Sequence, residues 1–136
     1  MKKSVLLVED DPLVRDIINE LLILIIDPEK NLNFVANNVY EARELLDKEN
    51  IVLLISDVNL GMGPDGLSLV SELNNNEKRP YIIIISSIPG LTEPEEMLKN
   101  GEIDSILCKP FSLKEIEREL KRSNVISIRD KECLRF

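Results

Sequence analysis

Five short apolar runs punctuate the chain: Ser4–Val8, Leu32–Ala36, Ile51–Ile55, Tyr81–Ile85 and Ile106–Cys108. Several are continuously apolar and rich in Val and Ile, as strands are when a parallel sheet is covered on both faces. Between the runs the apolar spacing changes to three and four residues. Val14, Ile17, Ile18, Leu21, Leu22 and Ile25 predict a helix with one buried stripe, and Asp11-Pro12 supplies its N-cap and first residue. Tyr40, Ala42, Leu45 and Leu46 mark a second helix, and Leu67, Val70 and Leu73 a third. Thr92 to Glu95 and Ser112 to Glu115 both fit S/T-x-x-E, which satisfies two free N–H groups reciprocally and so predicts two more helix starts. In the last helix Leu113, Ile116 and Leu120 form the inner face, with Lys114, Glu117, Arg118 and Lys121 outside.

Five strands alternating with five helices predict an α/β fold with right-handed crossovers. Sheets of this kind take their ligands beyond the carboxyl ends of the strands, near the point where strand order reverses. The residue closing each apolar run is therefore the place to look for chemistry. Residues 1–122 make the domain; Ser123–Phe136 fit neither a sixth unit nor an obvious linker, and read as a tail or the start of a truncated output region.

Composition narrows the chemistry. The 136 residues suit one domain, and 43% hydrophobic with 31% charged residues suits a globular rather than a disordered chain. A net charge of −8 argues against direct nucleic-acid contact, which needs a basic stripe to neutralise phosphates. The longest apolar stretch, Leu21–Ile26, is too short to span a bilayer, and Met1-Lys2-Lys3 leads straight into the first strand without a signal-peptide pattern. A cytoplasmic domain without membrane contact is expected. There is no histidine, which excludes Ser-His-Asp triads and Cys-His dyads, and two cysteines are too few for a zinc cage. Cys108 reads as a buried strand residue and Cys133 as a tail thiol, unpaired in a reducing compartment.

The strand ends carry what remains. The first run ends Glu9-Asp10-Asp11. Adjacent carboxylates repel unless a cation, a proton or solvent relieves them. Mg²⁺, held by one or two carboxylates with phosphate and water, is the natural candidate, and a solvated acidic turn is the plainer one. The third run continues into Ser56-Asp57-Val58-Asn59, where Asp57 is either a nucleophile toward phosphorus or the opening of a turn. The fourth ends in Ser86-Ser87, a hydroxyl for a phosphoryl oxygen or simply a strand end. The fifth ends Cys108-Lys109-Pro110, where the ammonium is a point charge for a phosphoryl oxygen or an exposed charge before a proline. Each plain account suffices alone. Together, acid, acid, hydroxyl and lysine close four strands at one sheet edge, and they form the set that phosphoryl transfer requires. By contrast, Gly61-Met62-Gly63-Pro64-Asp65-Gly66 matches G-x-G-x-x-G but lies in the third unit, contains a proline and lacks the acid about twenty residues on. It is a loop that needs glycines for tight turning, and no G-x-x-x-x-G-K-[ST] occurs.

The stretches VLLVEDDPLVR, LLISDVNL, DGLSLV, IIIISS and CKPFSLKEI, in this order, resemble the receiver domain of two-component response regulators over residues 3–122. The resemblance implies a flavodoxin-like doubly wound fold: a five-stranded parallel sheet in order 2-1-3-4-5 with helices on both faces. It also implies phosphorelay signalling with Mg²⁺ (or Mn²⁺) as cofactor, and a phosphoprotein with slow autodephosphorylation rather than an enzyme. Asp57 is then the phosphoacceptor, and Asp10, Asp57 and the Asn59 backbone carbonyl are metal ligands, with Glu9 acting through a metal-bound water. Ser86 and Lys109 contact the phosphoryl oxygens, Lys109 preceding what is usually a cis proline. Ser86 is preferred to Ser87 because the family requires a small next residue, which Ser87 is and Ile88 is not. The implied partner is a sensor histidine kinase or histidine phosphotransfer protein. The face of the fourth helix, fifth strand and fifth helix would switch and carry a homodimer.

Two rival readings are an interaction module that accepts no phosphate and an aspartyl-phosphate phosphatase. The latter wants a second Asp two residues beyond the nucleophile, where Asn59 stands. The chain departs from the family pattern in a loop Asn59–Gly66 one residue longer, Gly61 where Pro is usual, and Ile106 where many members carry an aromatic. Asn59 and Ile88 occupy the positions that in the family influence hydrolysis of the acyl phosphate.

Overall fold

A computed structural model describes residues 2–60, 65–87 and 92–130. The chain alternates β1 (Lys3–Val8), α1 (Pro12–Ile25), β2 (Asn31–Ala36), α2 (Val39–Lys48), β3 (Ile51–Asp57), α3 (Gly66–Leu73), β4 (Tyr81–Ser86), α4 (Thr92–Lys99), β5 (Ser105–Cys108) and α5 (Leu113–Ser123). All strand pairs are parallel and the order is β2-β1-β3-β4-β5, so strand order reverses beside β1. Alternate side chains of each strand enter opposite layers, as the two-residue period of a strand demands. Leu6, Val8, Leu54, Ile82 and Ile84 pack toward Val39, Ala42, Leu69, Val70 and Met97 of α2, α3 and α4. Val5, Leu7, Leu53, Ile55, Ile83 and Ile85 pack toward Ile18, Leu22, Ile25, Ile116 and Leu120 of α1 and α5.

Local signals set most helix ends. The Asp11 carboxylate accepts the N–H groups of Leu13 and Val14, and Ser112 accepts that of Glu115. Asn38 and Asp65 cap α2 and α3 in the same way, through Glu41 and Ser68. The helix marked by Thr92 begins there, although its side chain lies outside what is described.

Three expectations fail on burial. Ile17 is 52% exposed, because the apolar arc of α1 is wider than its strip of sheet contact and only Ile18, Leu22 and Ile25 reach the core. Leu113 is 40% exposed at the first turn of α5, ahead of the turns that meet the sheet at Ile116 and Leu120. Cys108 is exposed rather than buried, because β5 is an edge strand.

Beyond α5 the chain turns through Asn124 in the left-handed region (φ 55°) and runs back against α1. Val125, Ile126 and Ile128 pack on the α1/α5 layer, and Ile128 makes an antiparallel bridge to Ile26. The N–H of Asp27 donates to the Ser127 carbonyl at 3.0 Å, and the Arg129 N–H to the Ile25 carbonyl at 2.7 Å. Among the described residues no helix is long and apolar enough to cross a membrane.

Candidate functional site

Parallel register brings the polar ends of four strands to one edge. Val8 pairs with Ser56, Asp57 with Ile85, and Ser86 with Cys108, so the residues that close β1, β3, β4 and β5 emerge side by side. Asp57 is the last residue of β3, and its side chain is mostly buried. The Lys109 ammonium donates to its Oδ2 at 2.6 Å, and the Asn59 backbone N–H to its Oδ1 at 3.0 Å. Both carboxylate oxygens are therefore held in place.

Glu9 lies beneath this pair, 3% exposed in its side chain, with Oε2 3.8 Å from the Lys109 nitrogen and Oε1 accepting the Asp11 N–H. Burial, then hydrogen bonding and charge from Asp57, raise its carboxyl from 4.5 to about 7, while Lys109 pulls the other way. Burial alone would depress the Lys109 ammonium. The Asp57 hydrogen bond and charge, with Glu9 and Asp11 beyond, hold it above the usual lysine range. Its backbone N–H donates to the Ser86 carbonyl at 2.8 Å, and the Lys109–Pro110 peptide is cis. Ser86 is buried at the end of β4 while Ser87 is exposed.

The structure thus brings Glu9, Asp57, Asn59, Ser86 and Lys109 together. Asp10 is exposed at the mouth of β1 and makes none of these contacts. Ile88 and residues 61–64, which hold the lengthened loop and Gly61, lie outside the described residues.

The site fits a divalent cation in one respect that can be checked. Asp57 raises the cost of ionising Glu9, with the Lys109 ammonium beside both, and among the described residues Glu9 Oε2 is buried without a hydrogen-bond partner. Among the described residues no three acidic or cysteine side chains form a closed cage. Mg²⁺ does not require one, since it takes one or two carboxylates and keeps several waters.

Sequence reasoning missed two neighbours of the Asp57 peptide. Ser56 is fully buried yet polar, and its hydroxyl donates to the Asp57 carbonyl at 3.0 Å. Gly66, passed over as one of several loop glycines, starts α3 directly against that carbonyl. Only the Asp65-Gly66 pair, an N-cap followed by a residue without a side chain, could have signalled it.

Residues 5–121 match the family model described as response regulator receiver domain, and the chain belongs to that family. It is 29% identical over 119 residues to the probable C4-dicarboxylate response regulator DctR of Bacillus subtilis, covering 88% of this chain and 51% of that protein. It is 34% identical over 112 residues to the response regulator protein PilR of Pseudomonas aeruginosa, covering 82% and 24%. The chain spans about half the length of the curated relatives DctR and MalR. Response regulator TrrA of Thermotoga maritima, whose crystal structure is a complex with Mg²⁺-BeF, superposes with a TM-score of 0.71 at 25% identity, covering 90% of this chain and 99% of that one. Receiver domains act in phosphorelay signalling with histidine kinases or histidine phosphotransfer proteins. They gain and lose a phosphoryl group themselves rather than turning over a released substrate.

Proposed function

We propose that Asp57 accepts a phosphoryl group from a phosphohistidine on a sensor kinase or phosphotransfer protein. The observation that carries this is the Asp57 carboxylate itself, fixed between an ammonium and a backbone N–H at the switch edge of the sheet, above a buried carboxyl. An Asp57 oxygen bonds to phosphorus as the phosphorus–nitrogen bond breaks, and the imidazole leaves with its electron pair and takes a proton. Asp57, Asp10 and the Asn59 carbonyl would hold Mg²⁺, with Glu9 behind. Bound there, the ion would supply positive charge to the transferring oxygens. Lys109 exchanges its contact with Asp57 for a phosphoryl oxygen, and Ser86 donates its hydroxyl to another.

Intact-mass analysis with acetyl phosphate should show one added phosphate, absent in Asp57→Asn and when Mg²⁺ is chelated. Label retained by Asp57→Asn would refute the assignment.

A homodimer through α4-β5-α5 is the second element of the proposal. Glu93, Glu95 and Glu96 are exposed on α4 and Lys114, Arg118 and Arg122 on α5, so an acidic helix of one copy has a basic helix of another to meet. The receiver is read as residues 1–122, with Ser123–Phe136 a C-terminal tail or the start of an output region.

A further inference from the structure

Gly66 lies directly against the Asp57 peptide. Gly66 is buried at the first turn of α3, and its N–H donates to the Val58 carbonyl at 3.1 Å. Asp65 caps the same turn through the Ser68 N–H at 2.9 Å. A Cβ built on Gly66 would overlap the Asp57 carbonyl oxygen and stand 2.8 Å from Ser56 Oγ. The first neighbour is backbone at the end of β3, where Asp57 pairs with Ile85 of β4, so it cannot swing away as a flexible side chain would. Ser56 completes the fit: it is small enough to admit the helix, and its hydroxyl bonds the same carbonyl.

We propose that the contact of Gly66 and Ser56 with the Asp57 peptide is a positioning device for the acceptor carboxylate. The inference rests on the reading of Asp57 given above. Any side chain at 66 must lift α3 or displace the Asp57 peptide. Displacing the peptide draws the carboxylate off Lys109 and the Asn59 N–H, which hold it through 2.6 and 3.0 Å contacts. A misplacement of about 1 Å at a reacting group costs on the order of a hundredfold in rate. Gly66 and Ser56 act through Asp57 and touch no phosphoryl oxygen themselves.

Wild type, Gly66→Ala, Ser56→Ala and the buried α3 control Leu69→Ala test this, each assayed below its melting temperature. Two quantities are read: the initial rate of Asp57 labelling by acetyl phosphate with Mg²⁺, and the amide shift of Asn59, which reports its bond to Asp57 without any phosphate. Gly66→Ala should label between ten and a hundredfold slower, with a displaced Asn59 amide. Ser56→Ala should slow labelling by a smaller factor. Leu69→Ala should melt lower yet label at close to the wild-type rate. A Gly66→Ala protein with wild-type labelling and an unmoved Asn59 amide overturns the inference. Where Gly66→Ala does not fold, the same result in Ser56→Ala overturns it. Absence of label on wild-type Asp57 refutes the acceptor reading instead, and the Asn59 amide then still decides the positioning.

Discussion

At the scale of single residues, the site is two carboxylates sharing one ammonium, and its behaviour follows from that imbalance. Glu9 titrates near 7 in the folded chain against 4.5 as its ordinary value, first because it is buried and then because Asp57 is beside it. A carboxyl raised on folding contributes stability that is complete below the unfolded value and is lost as pH rises through the folded one. Without metal, stability from this group therefore declines from about pH 4.5 to pH 7. Glu9→Gln should match wild type near pH 5 and melt higher near pH 8 in EDTA. Parallel pH profiles for the two proteins would contradict the coupling. Lys109 is the group that restrains Glu9, so Lys109→Met should push the Glu9 titration higher still, read from its side-chain carboxyl carbon by NMR.

Elements are joined by a few polar clamps of unequal worth. Arg79, before β4, donates to the Asp104 carboxylate and to the carbonyls of Pro80 and Gly101, while Asp104 also accepts the Ile82 N–H at 2.8 Å. One half-buried pair thus ties the start of β4 to the loop entering β5. Asp104→Ala strands both a guanidinium and a strand N–H, and is expected to cost about 2 kcal/mol. The Lys121–Glu117 pair within α5, whose lysine is exposed and which ties no two elements together, offers a contrast, and Glu117→Ala should cost about 0.5 kcal/mol or less. Denaturant melts compare them, and equal costs would show that the Asp104 clamp is no stronger than a surface pair. Asp11→Ala belongs to the same scale: it removes the cap from two N–H groups of α1 and should cost about 1 kcal/mol.

For the whole molecule, the stretch after α5 is part of the packed structure as far as Arg129. It covers Ile25 and Ile26, supplies the Ser127 carbonyl to the buried Asn31 side chain, and ties the C-terminal end of α1 to the start of β2. A chain ending at Ser123 should be less stable than one ending at Asp130 by roughly 2–3 kcal/mol, given three half-buried apolar side chains and their backbone bonds. Identical melting of the two would reduce the segment to an appendage.

The extent to which all this was legible divides along a physical line. Strand and helix positions, the Asp11 and Ser112 caps and the polar closing residues follow from neighbours within four positions, which the chain states by itself. Strand order and the candidate set Glu9, Asp57, Ser86 and Lys109 were legible through the family's motifs; spacing alone left a plainer account open for each. Tertiary structure decided which apolar positions are covered, so that Ile17 and Cys108 face out while the polar Ser56 is sealed in. It also decided that Glu9 is buried, that Gly66 abuts the Asp57 carbonyl, and that residues 124–129 return to α1. Each of these depends on groups far apart in sequence, Lys109 and Asp57 being separated by 52 positions. Burial and close approach are set by where the whole chain places such groups, and no local pattern encodes that placement.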